Sequence, residues 1–341
     1  MMSLELLERY SRQVLFPGIG EEGQRKLHGA RVGLAGCGAT GSAIASLLAR
    51  SGVGTLRIID RDFVEASNLQ RQALFDESDA AESMPKALAA ARRIAAFNSQ
   101  IVVEPHVADL TSSNIAELLE GMHIVLDGTD NFETRYLIND YAVKNQVPWV
   151  YVAAVAGYGV TLNVLPHRTA CLACVFPDPP SGTFETCETA GIVNGAVHAV
   201  ASVAATEALK MLVGAEDQLR RTLLSFDLWR NERAEVSAAA PRRNCRACGE
   251  HNFIHLAGEA RPHITLCGRN SVQIHERNRP VDFAEMSVRL KPHGTVRHND
   301  FVLKFWHQPY EMTLFPDGRA IIKGTTDTAV ARSLYARYVG S

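Results

Sequence analysis

The sequence has no long uninterrupted apolar run, no strong excess of either charge, no repeat and no low-complexity segment. Each absence excludes something. No uncharged stretch approaches the roughly 20 apolar residues needed to span a bilayer. The most apolar long segment, from Gly195 to Gly214, carries His198, Glu207 and Lys210 and therefore reads as a buried helix. Residues 1–13 hold Glu5, Glu8, Arg9 and Arg12 where a secretory leader would be apolar, so the cytoplasm is the expected location and no membrane partner is expected. A formal net charge of −2 gives no global case for nucleic acid as a partner. The seven cysteines are an odd number, and four of them fall in two C-x-x-C pairs. That pattern fits metal binding in a reducing compartment better than a disulfide framework.

What remains is the composition of an ordinary globular chain with a substantial core: 341 residues, 46% apolar and 21% charged. Strand and helix patterns alternate through about residue 150, which predicts a doubly wound α/β sheet. Residues 4–29 read as helical. Arg31 to Ala35 and Thr55 to Asp60 read as strands, and Ala87 to Phe97 as an alanine-rich helix. Further on, Trp149–Val155 and Gly159–Leu165 are expected to pair antiparallel around a glycine-containing turn. Residues 176–190 are expected to form a loop, Val197 to Leu212 a helix, and Leu223–Val236 a hairpin. Ser237 to Arg243, rich in alanine, reads as a linker. The expected fold is a Rossmann-like mixed sheet, parallel in its first half and antiparallel in its second, with helices on both faces. It would occupy residues 1–250, with a small α+β domain over 258–341.

The chemistry-bearing residues begin with Gly36-Cys37-Gly38-Ala39-Thr40-Gly41, placed after a strand and before a helix. Glycines there let the backbone turn tightly and approach a phosphate, which meets the positive end of a helix. Close helix–sheet packing is the alternative use of the same glycines. Asp60 ends the second strand, where a carboxylate can accept ribose hydroxyls. Arg71, in Ser67-Asn68-Leu69-Gln70-Arg71-Gln72, and Lys86, after Pro85, add two cations. A nicotinamide dinucleotide needs no such cluster, whereas ATP brings a triphosphate whose leaving pyrophosphate must be neutralised. Asp130, on a loop after a strand, is suited to Mg2+.

Cys171-Leu-Ala-Cys174 and Cys245-Arg-Ala-Cys248 form a four-thiolate zinc signature that leaves no open position for catalysis. Closing the intervening segment costs roughly 4 kcal/mol of loop entropy, against roughly 10–16 kcal/mol for a structural zinc site. Zn2+ is expected as a staple.

Together with Arg9-Tyr10-Ser11-Arg12-Gln13, Gly128-Thr129-Asp130-Asn131 and Thr186-Cys187, these motifs resemble the ThiF/MoeB/HesA family, collinearly over roughly residues 8–250. The resemblance implies an adenylation domain that dimerises and uses ATP to make an acyl-adenylate on a ThiS- or MoaD-like, ubiquitin-like sulfur-carrier protein. Carried over by position, Gly36, Gly38 and Gly41 would line the adenosine and phosphate pocket, and Asp60 would bind ribose. Asn68, Arg71 and Lys86 would contact phosphates, Asp130 and Asn131 would complete the nucleotide site with Mg2+, and Arg12 would reach into the other subunit of a homodimer. Two departures are small: Ala39-Thr40 replaces the commoner glycine-leucine, and Ser83-Met84 replaces glycine-glutamine.

Cys187 aligns with a loop cysteine that in some members links covalently to the carrier, yet Glu185 and Glu188 flank it and oppose a lowered thiol pKa. Cys37 and Cys267 read as packing residues, and the twelve histidines show no metal-ligand spacing. The 258–341 segment resembles C-terminal extensions of some bacterial members and lacks a rhodanese loop. Competing readings are a relative that activates a small or tRNA-linked carboxylate, an NAD-dependent oxidoreductase, and a non-catalytic carrier-binding scaffold.

Overall fold

Alternating aliphatic residues decide the first half of the chain. In β1 (Arg31–Ala35), Val32 and Leu34 face one side and Ala35 the other; in β2 (Thr55–Ile59), Leu56 and Ile58 oppose Ile59. Both faces are therefore buried, as parallel strands covered by crossover helices require. The computed structural model describes residues 8–177, 190–258, 265–266, 271–274 and 280–340. Contacts divide the chain into two units, Met1–Ala260 and Arg261–Ser341.

The first unit begins with a helical turn at Ser11–Val14 and α1 (Gly20–Gly29). After β1 come α2 (Ala39–Arg50), β2, α3 (Lys86–Phe97), β3 (Val102–His106), β4 (Ile124–Asp127) and α4 (Phe132–Asn145). The sheet continues through β5 (Trp149–Val155) and β6 (Tyr158–Val164). After α5 (Asn194–Val213) it closes with β7 (Thr222–Asp227) and β8 (Glu232–Ser237). The strand order is β3-β2-β1-β4-β5-β6-β7-β8. Pairing is parallel from β3 to β5 and antiparallel from β5 to β8, the mixed sheet the sequence pattern implies. β1 lies between β2 and β4, so successive chain crossovers leave it in opposite directions. A crevice opens there at the carboxyl ends of the strands.

Two boundaries differ from the sequence reading. Helical structure does not run unbroken to Gly29, because residues 15–19 interrupt it between Val14 and Gly20. Ser237 to Arg243 is not a free linker: Ser237 ends β8, Ala238 is buried and its carbonyl accepts from Ala170 N at 2.9 Å, and Arg242 N reaches Cys174 Sγ at 3.3 Å.

Among the described residues, α5 is the one helix long and apolar enough to cross a membrane by length and composition. It serves as a core element, with Ala196, Val197, Val200, Ala201, Ala204 and Ala208 buried. Small alanines allow close approach to α2 and to β5. Glu207 adds a polar anchor: its carboxylate accepts from Asn163 Nδ2 on β6, Arg220 N at 3.0 Å and Lys210 Nζ at 2.6 Å.

The second unit is a separate antiparallel sheet of order β11-β12-β13-β14-β10-β9. Its strands are β9 (Thr265–Leu266), β10 (Ser271–Ile274), β11 (Thr295–His298), β12 (Leu303–His307), β13 (Tyr310–Leu314) and β14 (Ala320–Lys323), and its helices are α6 (Phe283–Leu290) and α7 (Thr328–Tyr338). Val272, Leu303, Phe305, Met312, Leu314 and Ile322 pack against Phe283, Met286, Leu290 and Tyr335.

Burial pushes the Glu207 carboxyl up, but the bonds from Lys210, Arg220 and Asn163 hold it below its ordinary value. A carboxyl lower in the folded than in the unfolded state contributes stability above its unfolded pKa of about 4.3, and that contribution is lost as pH falls through the folded value. Glu207→Ala is therefore expected to destabilise the protein by about 1–3 kcal/mol per stranded buried donor. Urea midpoints at pH 7 and pH 4 check this: the gap between wild type and variant should narrow at the lower pH.

Candidate active site

Three glycines, two on loops and one in the first turn of α2, meet at the head of the crevice. Gly36, with φ +85°, follows β1, and a Cβ there would lie 2.7 Å from the Gly128 carbonyl carbon. A Cβ on Gly41 would fall 2.1 Å from Gly36 O, and one on Gly128 would fall 2.3 Å from the same oxygen. No side chain fits at any of the three. Gly36 N donates to Ile59 O and Gly128 N to Ala35 O, both at 2.7 Å, which fixes both loops to the strand ends. Gly38 is different. A Cβ there would meet only Gly128 O, at 3.9 Å, so its surface is open at the N-terminus of α2. Backbone N–H groups at such a helix start suit a phosphate.

Asp60 lies directly beside this loop. Its Oδ2 accepts from Cys37 N and its Oδ1 from Asp62 N, each at 2.6 Å, so the carboxylate locks the glycine loop to the end of β2. Burial and then Asp62 push its pKa up, while Lys86 opposes them. Lys86, only 3% exposed at the first position of α3, donates from Nζ to Asp62 Oδ2 at 3.1 Å and from its backbone N to Asp62 O at 2.9 Å. Its charge is felt at both Asp60 and Cys37, which places it at the same strand end. Asn68 is buried, and its Oδ1 caps the backbone N of Glu65 at 3.0 Å. Arg71 is half-buried and donates from Nη1 to Ser67 O at 2.8 Å. The preceding Gln70 is tied to the start of α5, since Asn194 Nδ2 donates to Gln70 O at 3.2 Å.

Asp130 is exposed two residues beyond Gly128. Asn131, grouped with it by sequence, directs its Oδ1 to Thr134 N at 2.8 Å and so caps α4. Asp62 and Arg61 escaped the sequence reading. Arg61 Nη1 meets Asp109 Oδ2 at 2.7 Å, and burial lowers its pKa less than Asp109, Asp62 and Asp130 together raise it. The Asp60-Arg61-Asp62 run at a strand end was the available signal.

Two sequence-predicted residues do not join this cluster. Cys187 lies outside the described residues. Arg12 is exposed on the helical turn whose neighbours are pinned elsewhere: Gln13 Nε2 donates to Ser51 O at 2.8 Å, and the Tyr10 hydroxyl accepts from Asn98 Nδ2 at 2.8 Å. Those anchors stand at the C-terminal ends of α2 and α3. Twelve residues of α2 separate that end from the glycine loop, about 18 Å at the helical rise.

A second centre lies on the antiparallel half. The sulfurs of Cys171, Cys174, Cys245 and Cys248, all buried, sit within 4.8 Å of one another. Their separations include 3.6 Å for Cys171–Cys245 and 3.3 Å for Cys174–Cys248. A tetrahedral ion with metal–sulfur bonds near 2.3 Å needs about 3.8 Å between sulfurs, so the set could hold a divalent metal. Arg246, inside the second pair, reaches Asp140 on α4 at 3.1 Å.

Cys37 is fully buried in the glycine loop, and burial followed by Asp60 pushes its thiol well above the ordinary range. The thiolate is the reactive form, so Cys37 should remain unmodified when the native protein meets iodoacetamide at pH 8. Peptide mass spectrometry reads this directly, and rapid native labelling of Cys37 would contradict the geometry.

Comparison with known proteins follows the same boundaries. Residues 10–247 match the ThiF family. The sulfur carrier protein ThiS adenylyltransferase of Bacillus subtilis (strain 168) is 45% identical over 97% of this chain and 99% of its own. The sulfur carrier protein adenylyltransferase of Thermus thermophilus is 38% identical over 72% of this chain and 92% of its own. Among solved structures, E. coli MccB with MccA-N7isoASN superposes with a TM-score of 0.64 at 22% identity, covering 73% of this chain and 75% of that one; this likeness concerns the fold. The glycine loop, the acidic strand end, the first cysteine pair and Cys245 fall inside the matched range, with Cys248 one residue beyond it, and the chain belongs to the ThiF family.

Proposed function

We propose that this protein is an adenylyltransferase that uses ATP to activate the C-terminal glycine carboxylate of a ubiquitin-like sulfur-carrier protein, releasing pyrophosphate. One observation carries the reading. Open backbone at Gly38, the Asp60 carboxylate that braces the glycine loop and the buried cation Lys86 converge at one strand end, in a chain 45% identical along nearly its whole length to a ThiS adenylyltransferase.

The carboxylate is ionised at neutral pH and needs no general base. The protein's task is to hold it in line with the α-phosphorus and to stabilise charge that spreads onto the leaving pyrophosphate. Gly38 and Gly41, at the start of α2, bring backbone N–H groups to the phosphates, Gly36 supplies the tight turn that lets them approach, and Asp60 accepts from ribose hydroxyls. Lys86, Arg71 and Asn68 face the phosphate oxygens. Asp130 would hold Mg2+, which neutralises phosphate charge when bound, and Asn131 caps the helix behind it. Arg12, anchored about 18 Å from the glycine loop of its own chain, serves the site of a second copy, so the active form is a homodimer. The four cysteines would hold Zn2+ as a structural staple between the β6 end and the segment after β8.

Carrier-dependent ATP–pyrophosphate exchange tests the activity, and its absence with every carrier ending in Gly-Gly would refute it. Lys86→Ala, Arg71→Ala and Asp130→Ala should each lower exchange by roughly 100-fold or more. Mixing Arg12→Ala with Asp130→Ala protein should restore activity that neither has alone, because a mixed dimer contains one intact site; no recovery would remove Arg12 from the neighbouring site. Elemental analysis should find one zinc per chain in the wild type and nearly none in Cys174→Ser, with a large fall in the unfolding temperature.

A further inference from the structure

Behind Asp130 lies an ion pair that the reaction scheme does not use. Asp127, fully buried at the end of β4, faces Arg135, 6% exposed on the first turns of α4, with Nε to Oδ2 at 3.0 Å. The pair does more than neutralise itself. Arg135 Nη2 donates to Thr129 O at 2.7 Å and to Val152 O on β5 at 3.2 Å. Asp127 Oδ1 accepts from Thr129 N at 2.8 Å and from Thr129 Oγ1 at 2.7 Å. The amide, carbonyl and hydroxyl of Thr129 are thus all held by one buried pair. The guanidinium also lies over the rings of Phe132 and Tyr151, at 5.3 and 5.2 Å from their centroids.

Thr129 joins two functional neighbours. Before it stands Gly128, whose backbone abuts Gly36 O, and after it stands the exposed Asp130. Asp130 also lies within electrostatic reach of Arg135, contributing with Asp127 and Tyr151 to raising its pKa against the effect of burial. A buried ion pair is a poor device for stability alone, since apolar residues of similar volume often do as well or better. Apolar residues could not grip the three polar groups of Thr129.

We propose that Arg135 is a positioning residue that, through Asp127 and Thr129, sets the Asp130 carboxylate for magnesium and so determines how tightly the site holds Mg·ATP. The inference rests on the reading of Asp130 as the magnesium-holding group. Lysine at 135 keeps the charge but cannot present Nε and Nη2 donors in one fixed plane to Asp127, Thr129 and Val152.

The test is calorimetric binding of ATP to the full-length protein, with magnesium and with EDTA, needing neither carrier nor turnover. Arg135→Lys should lose about tenfold of the affinity that magnesium adds, as supporting residues behind a metal ligand typically do, while affinity in EDTA stays near wild type. Thr129→Val leaves the buried pair in place and should show the same selective loss, which separates positioning from misfolding. Asp130→Ala serves as the reference. If it leaves the magnesium contribution intact, the magnesium reading of Asp130 falls, and this inference with it. If Asp130→Ala removes that contribution while Arg135→Lys and Thr129→Val, with unfolding temperatures near wild type, retain it, the positioning role alone is overturned. Equal losses with and without magnesium in both variants would also overturn it.

Discussion

The candidate site depends on backbone touching backbone. Gly36 O stands where a Cβ on either Gly41 or Gly128 would collide with it, so the first crossover loop and the loop after β4 interlock without side chains. That contact lets Gly38 open toward a ligand while Asp60 and Asp127, each buried, brace the loops from the neighbouring strand ends. Carboxylates buried this way are costly unless donors face them. Here loop amides are among the donors, joined at Asp127 by Arg135 and the Thr129 hydroxyl, so desolvation and loop geometry are settled by the same bonds. The result is a rim set by backbone contacts, with the chemistry left to the groups that project from it.

Much of this rim was legible in the sequence because it rests on local rules. A strand, a glycine-rich turn and a helix follow one another within 20 residues, and their periodicities are unambiguous. Asp60 and Lys86 could be singled out because a strand end and a helix start are recognisable positions. The four cysteines were equally plain, since two C-x-x-C pairs are the spacing a tetrahedral thiolate set needs, and their sulfurs do gather within 4.8 Å. In the second unit, the sequence pattern marks strands near Ser271–Ile274, Asp300–Trp306, Tyr310–Leu314 and Arg319–Lys323 and a helix from Asp327 to Tyr338, within a few residues of β10, β12, β13, β14 and α7. The amphipathic α6 and the short, exposed β11 did not announce themselves.

What the sequence could not reveal depends on contacts between distant segments. Arg135 looks like any helix cation until Asp127, Thr129 and Val152 surround it. Arg61 looks solvated until Asp109 arrives from the loop after β3. Asn131 carries the same side chain whether it binds a ligand or caps a helix, and only the Thr134 amide distinguishes the two. Ser237 to Arg243 reads as a linker by composition, but Ala238 is bonded to Ala170 and Arg242 N to Cys174. The anchoring of Arg12 shows the complementary limit: pattern can nominate the residue, while the length of α2 places its anchors about 18 Å from the glycine loop of its own chain.

The cysteine centre imposes an order of assembly. Cys171 and Cys245 stand 74 positions apart along the chain yet 3.6 Å apart in space. On the ribosome, the first two thiols emerge long before their partners exist, and β6 must wait with half a ligand set while α5 and the β7–β8 hairpin are synthesised. A metal held by all four sulfurs could be captured only after Cys248 has been delivered, beyond the last strand of the antiparallel half. A nascent chain stalled before residue 245 would hold the nucleotide rim complete and its far wall unfastened.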